Sequence, residues 1–154
     1  MAEQPFFRNI ILHLREWAAG PNRKPLVMRG ARQVGKTTAV VLFAEEFDHF
    51  IHLTLEQQQH AEIFARGLPV DELIQVIYMT AKVNNPKGRI LLFIDEIQNS
   101  PPAMAMMRYF YESARDLFVI GAGSLLETML GREQISFPVG RVQYLFVHPV
   151  SFEE

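Results

Sequence analysis

Apolar and polar positions along the chain follow two periods, and the switches between them mark out the elements. Ile10, Ile11, Leu14, Trp17 and Ala18 recur at helical spacing within residues 9–19, and Gly20-Pro21 stops the run. That spacing predicts a leading amphipathic helix. Residues 26–28 form a short apolar strand after Pro25, and the glycine-bounded turn 30–37 opens a helix carrying Ala39, Val40, Phe43, Ala44 and Phe47. Residues 50–55 show the two-residue period of a half-buried strand, with Ile51, Leu53 and Leu55 apolar and His52 and Thr54 between them. Helical patterns cover 57–66 and 70–83, and the cluster Asn84-Asn85-Pro86-Lys87-Gly88 predicts a turn. Residues 90–94 and 117–120 are unbroken apolar runs. Between them Ser100-Pro101-Pro102 predicts a helix start, because serine caps free amides and proline suits the first turn; the helix runs to about residue 115. Residues 124–130 read as helix up to Gly131, and 142–147 as a last strand ended by Pro149.

After the first helix, strands and helices alternate five strands deep, which predicts an α/β fold with a parallel sheet covered by helices on both faces. Texture separates the strands further. The segments 26–28, 90–94 and 117–120 carry no polar position and suit strands buried on both sides. The segments 50–55 and 142–147 do carry polar residues and belong at the edges.

Composition narrows the class. A chain of 154 residues fits one domain of ~100–150 residues, and 49% hydrophobic residues supply a core that a disordered tail lacks. Fifteen basic against seventeen acidic residues give a net charge of -2, which excludes a generic polyanion binder. The charge is uneven: Arg8, Arg15, Arg23, Lys24, Arg29, Arg32 and Lys36 stand against only Glu3 and Glu16 in the first 36 residues. The basic residues Arg23, Lys24, Arg29 and Arg32 are expected to set a positive field near the 30–37 turn or to form an ordinary solvated face. Zero cysteines exclude disulfides and Cys-ligated metals. No run approaches the ~18 apolar residues of a membrane span, and the first seven residues lack the order of a signal peptide, so a cytoplasmic protein is expected.

The chemistry starts in that turn. Gly30-Ala31-Arg32-Gln33-Val34-Gly35-Lys36-Thr37 matches G-x-x-x-x-G-K-[ST] between a strand and a helix. Glycines let the backbone curl so that its N–H groups and the helix N-terminus point at phosphate oxygens, Lys36 reaches the β/γ-phosphates, and Thr37 ligates Mg²⁺. A second element is the buried run 90–94 followed by Asp95-Glu96. Asp95 leaves the strand's carboxyl end where it can hold the metal's water shell, and Glu96 can polarise an attacking water. The guanine-reading Asn-Lys-x-Asp of GTPases is absent. Ser124 is a candidate γ-phosphate sensor or a helix N-cap, and Arg141 an arginine finger for a neighbouring subunit or a sensor in its own site. Arg132 is a weaker candidate than Arg141. Met104, Met106 and Met107 share a helix with Tyr109, Phe110 and Tyr111 and read as core. Trp17 reads as packing, with an adenine contact as the alternative. His13, His49, His52, His60 and His148 do not fall at metal-ligand spacing.

Arg29 to Thr38, Phe93-Ile94-Asp95-Glu96-Ile97-Gln98, Gly121-Ala122-Gly123-Ser124-Leu125-Leu126 and Phe137-Pro138-Val139-Gly140-Arg141-Val142, with the closing Pro149-Val150-Ser151-Phe152-Glu153-Glu154, carry a resemblance. The chain resembles the AAA+-type prokaryotic ATPases in which an AAA_14 domain precedes a DUF4143-type domain. The resemblance implies a three-layer αβα P-loop NTPase sandwich over residues 1–154, with sheet order 5-1-4-3-2, and places the lid and the DUF4143-type domain beyond this chain. It implies ATP and Mg²⁺ as ligands. Residues 30–38 then form Walker A, Thr38 included; Asp95 and Glu96 form Walker B; Ser124 lies at or next to sensor 1; and Arg141 sits where a finger between copies of a homo-oligomer is expected. The expectation is an ATPase that drives or switches a partner or its own C-terminal domain. A P-loop small-molecule kinase and a nucleotide-binding interaction module remain as alternatives, and protein and nucleic-acid partners stay open.

Overall fold

A computed structural model describes residues 5–30, 35–84 and 86–147. Helix α1 (Pro5–Ala19) leads into β1 (Leu26–Gly30), α2 (Lys36–Phe43) and β2 (His49–Thr54). Helices α3 (Gln58–Ala65) and α4 (Val70–Thr80) connect to β3 (Ile90–Asp95), followed by α5 (Pro101–Ser113), β4 (Phe118–Ala122), α6 (Leu126–Gly131) and β5 (Gln143–Val147). The five strands make one sheet in the order β2-β3-β4-β1-β5, parallel throughout, which is the expected 5-1-4-3-2.

Alternation along each strand divides the core. Leu91 and Phe93 face the side covered by α1 and α2, while Leu92 and Ile94 face α3, α4 and α5. Side chains of β3 and β4 are buried almost throughout, and β2 alternates. The edge placement of β2 and β5 therefore follows their texture. On β5 the outward positions are aromatic: Tyr144 and Phe146 are 43% and 52% exposed. The Arg29 guanidinium lies 5.1 and 4.8 Å from their rings, and Glu127 holds it through two hydrogen bonds of 2.9 and 3.2 Å. The guanidinium is thus held against the two rings by an acid on its other side.

Element ends differ from the pattern in three places. Helix α2 stops at Phe43 and tightens into a 3-10 turn at Ala44–Glu46, so Phe47 leaves the helix in an extended conformation. Its ring still packs edge-on against Phe43 and Phe118, at 5.1 and 5.0 Å. Helix α6 starts at Leu126, and Ser124 does not cap it. A 3-10 turn at Ile97–Asn99 joins β3 to α5, where the Ser100 hydroxyl accepts from the Ala103 amide at 3.1 Å as expected. The methionine helix is core on one face, with Met104, Met107 and Phe110 buried, while Tyr109 is exposed. Among the described residues, no helix is long and apolar enough to cross a membrane.

Candidate functional site

A parallel sheet puts all its strand exits on one rim, and ligands of open α/β sheets bind there, where the strand order reverses. Here the chain leaves β1 and returns at the far edge as β2, so the exits of β1, β3 and β4 border one crevice. The exit of β1 is tight. Gly30 has φ +144°, and a Cβ there would stand 2.0 Å from the Val147 carbonyl oxygen. Only glycine fits so close to the neighbouring strand. Residues 31–34 lie outside the described residues, so four of the motif's positions, Ala31, Arg32, Gln33 and Val34, have no structural account.

The motif resumes at Gly35, left-handed with φ +77° at the N-cap of α2. Lys36 follows and is only 8% exposed, its ammonium donating to the Gly30 carbonyl at 3.2 Å. Burial pushes the Lys36 amine down from its ordinary range, against the pull of Glu127, Asp95 and Glu96. Thr37 and Thr38 are exposed on the first turn of α2. The Thr37 hydroxyl donates to the Asp95 carboxylate at 3.2 Å, joining the glycine-lysine element to the acid pair across 58 residues of sequence. A hydroxyl and a carboxylate oxygen that close are hard donors suited to magnesium, which takes one or two protein oxygens and keeps several waters. The residues present therefore fit that ion.

Asp95 also accepts from the Glu96 amide at 2.9 Å, and the His52 Nε2 lies 3.6 Å from its other oxygen. Parity explains the histidine: Thr54 pairs with Asp95 and His52 with Phe93, so His52 shares Asp95's face. Glu96 departs from the strand in the left-handed region, φ +54°. Its carboxylate accepts from the Ser124 amide at 2.7 Å, from the Ser124 hydroxyl at 3.0 Å to each oxygen, and from the Gln98 amide at 3.1 Å. Burial alone would push Glu96 up, but the Ser124 amide, Gln98 and the Ser124 hydroxyl bring it below its ordinary range. The exposed Glu56 carboxyl is pushed above its ordinary range, chiefly by Glu96 beside it.

Gly30, Lys36, Thr37, Asp95, Glu96 and Ser124 thus converge, and Ser124 meets the acid rather than a helix N-terminus. Arg141 does not join them. It precedes β5, whose first residue pairs with the first residue of β1, so it stands at the rim opposite the crevice. There its Nε donates to Glu112 at 2.9 Å, which removes the reading of a sensor in its own site. Arg132 follows the last turn of α6, exposed, its amide donating to the Thr128 carbonyl. Arg23 and Lys24 also precede their strand, so of the four residues expected to set a positive field only Arg29 belongs near the motif, and Arg32 lies outside the described residues. Trp17 is buried and donates to the Lys24 carbonyl at 2.6 Å, so it is packing and not a base contact. Sequence reasoning missed Gln98, His52 and Glu56. The signal for Gln98 was a polar residue between Ile97 and a helix cap, on a stretch too short to show a period.

Solved structures share this fold. A Walker-type ATPase of Pyrococcus abyssi superposes with a TM-score of 0.58 at 18% identity, over 94% of this chain and 54% of that one. The Orc1 protein of Aeropyrum pernix, solved in complex with DNA, gives 0.52 at 17% identity over 94% and 44%, and PCH-2 of C. elegans gives 0.54 at 14% over 98% and 45%. The chain spans about half the length of these proteins. No curated protein matches it in sequence. With residues 22–154 matched by the family described as AAA domain, the chain belongs to that family and is a nucleotide-binding, ATPase-like domain.

Proposed function

We propose that the chain binds ATP with Mg²⁺ in the crevice at the exits of β1, β3 and β4, and hydrolyses it to drive or switch a partner or a further, DUF4143-type domain of the same protein. The observation that carries this reading is the 3.2 Å contact between Thr37 and Asp95, with Lys36 folded back over the exit of β1. Two sequence elements that phosphate chemistry needs together meet there.

Residues 30–35 would cradle the phosphates with their amides, and Thr38 would continue that wall. Lys36 would pair with the β/γ-phosphates, and its burial strengthens that pairing by lowering the local dielectric. Thr37 and Asp95 would hold Mg²⁺, which when bound neutralises charge on the phosphate oxygens. Glu96 would accept a proton as the water oxygen attacks the γ-phosphorus, while the bond to the ADP oxygen breaks and ADP and phosphate leave. Ser124 stands beside that base. Arg141, turned away from its own crevice, would act only on the nucleotide of a second copy in a homo-oligomer. A cytoplasmic location goes with this reading.

ATP binding and turnover by the chain, alone and extended downstream, test the proposal. Glu96→Gln should bind ATP and stop turnover. Wild-type turnover by Glu96→Gln would sink the role given to Glu96.

A further inference from the structure

Three non-glycine residues among those described have positive φ: Lys82, Glu96 and Glu133. Two are ordinary helix ends. The Lys82 and Val83 amides donate to the Met79 and Tyr78 carbonyls, and the Glu133 and Gln134 amides to Leu130 and Met129, which is the pattern of a Schellman cap. Glu96 closes no helix. It leaves a strand, and a left-handed residue with a side chain costs roughly 1–2 kcal/mol that something must offset.

The offset lies in what its carboxylate meets. Ser124 supplies an amide and a hydroxyl from the β4 side, and Gln98 supplies its amide from the turn after β3. Gln98 is itself unusual. It is 4% exposed, and because its nitrogen must face the carboxylate, its Oε1 is buried without a hydrogen-bond partner. That oxygen lies where a Cβ on Gly123 would be, 1.8 Å from the ideal position, so the glycine makes room for the glutamine. An orphaned buried acceptor is unfavourable, and an apolar residue would fill the site without it. A residue chosen for packing alone would not be glutamine.

We propose that Gln98 is a positioning residue for Glu96: with Ser124 it forms a clamp that holds the carboxylate in one orientation at the crevice. The proposal rests on Glu96 being the water-activating base. A base fixed in advance needs no reorganisation when the reaction occurs. Gln98 itself touches neither phosphate nor water in this role.

The test uses the whole chain with Gln98→Leu, similar in volume but without the amide, and Gln98→Glu, equal in shape but with a further carboxylate, beside Glu56 and Asp95, against Glu96. Two readouts are taken, steady-state ATP turnover and the amide resonance of Ser124, which reports the 2.7 Å bond to Glu96. Both variants should lower kcat about tenfold or more while KM for ATP stays within about twofold, since an interaction that orients the base acts on kcat and leaves ground-state binding alone. The Ser124 resonance should move in both, as it should in Glu96→Gln. Turnover within twofold of wild type, a loss carried by KM, or a Ser124 resonance that shifts in Glu96→Gln but stays put in both Gln98 variants would each overturn the clamp. If Glu96→Gln turns over normally, the base reading fails instead, and the resonance still decides whether Gln98 orders that carboxylate.

Discussion

The two rims of the sheet are made from the same strands and hold their charges in opposite ways. At the exits polar groups meet polar groups: Lys36 donates to the Gly30 carbonyl, Thr37 to Asp95 and Ser124 to Glu96, through hydrogen bonds of 2.7–3.2 Å. At the entries, the cations lie on rings: the Arg23 guanidinium is 3.7 Å from the Phe118 centroid, Arg89 is 4.5 Å from Phe47, and Arg115 is 4.5 Å from Tyr111. Arg115 also donates to the Tyr111 carbonyl at 3.2 Å, in the last turn of α5, and Arg23 donates to the Arg115 carbonyl in the turn that follows. Burial pushes Arg23 down, Asp116 opposes this, and Arg89 and Arg115 add to it. The entry rim spends its charges on packing and helix capping. The exit rim concentrates polar groups and a left-handed acid where they add little to stability, which is the usual mark of a working site.

The sharpest way to break this contrast is at the entry rim. Phe118→Ala removes the ring that carries both Arg23 and Arg89 and that Phe47 and Trp17 pack against. It should cost about 3–5 kcal/mol in chemical denaturation and leave ATP affinity of the folded protein unchanged. An equal loss of affinity would mean that the rims are coupled. Gly30→Ala attacks the opposite rim, where the added Cβ has backbone 2.0 Å away and φ is +144°. A cost of about 2–4 kcal/mol is expected together with lost nucleotide binding, because β1 must shift against β5. Lys36→Ala should leave the fold nearly as stable and weaken ATP binding about a hundredfold, the worth of a charge-assisted hydrogen bond of about 2–3 kcal/mol. Binding retained by Lys36→Ala would remove the lysine from the phosphate site.

The contrast also sorts what the sequence made legible. Strands β3 and β4 declared themselves because burial on both faces leaves residues 90–94 and 117–120 without a polar position, and the edge strands because their exposed positions admit polar residues. The pairing of Thr37 with Asp95 was legible as chemistry, since each motif implies the other. The positive field was misread. Arg23 and Lys24 are near the glycine-lysine motif in sequence, but a five-residue strand rising about 3.3 Å per residue separates them from it, and sequence distance along a strand is real distance. Ser124 read as a cap or a sensor because either would follow an apolar strand, and only the fold shows Glu96 within 3 Å of it. Gln98 and His52 were invisible for a similar reason. Their meaning depends on the strand next door.

Arg141 offers the finest test, because it belongs to the entry rim by position and to the exit rim by proposed role. Its bond to Glu112 is exposed, and Glu112 is also held by Arg108 at 3.1 Å, so Arg141→Ala should change stability by no more than about 0.5 kcal/mol. ATP affinity should not move, since the residue cannot reach its own crevice. Turnover should fall only where copies assemble. Mixing separates the cases: Glu96→Gln keeps the arginine and lacks the base, and Arg141→Ala keeps the base and lacks the arginine. If Arg141 works on a neighbour's nucleotide, the mixture of these two weak variants should turn over ATP faster than either alone, and the gain should vanish on dilution. A mixture no faster than the average of its parts, at concentrations where the wild type self-associates, would leave Arg141 as a partner of Glu112 and nothing more.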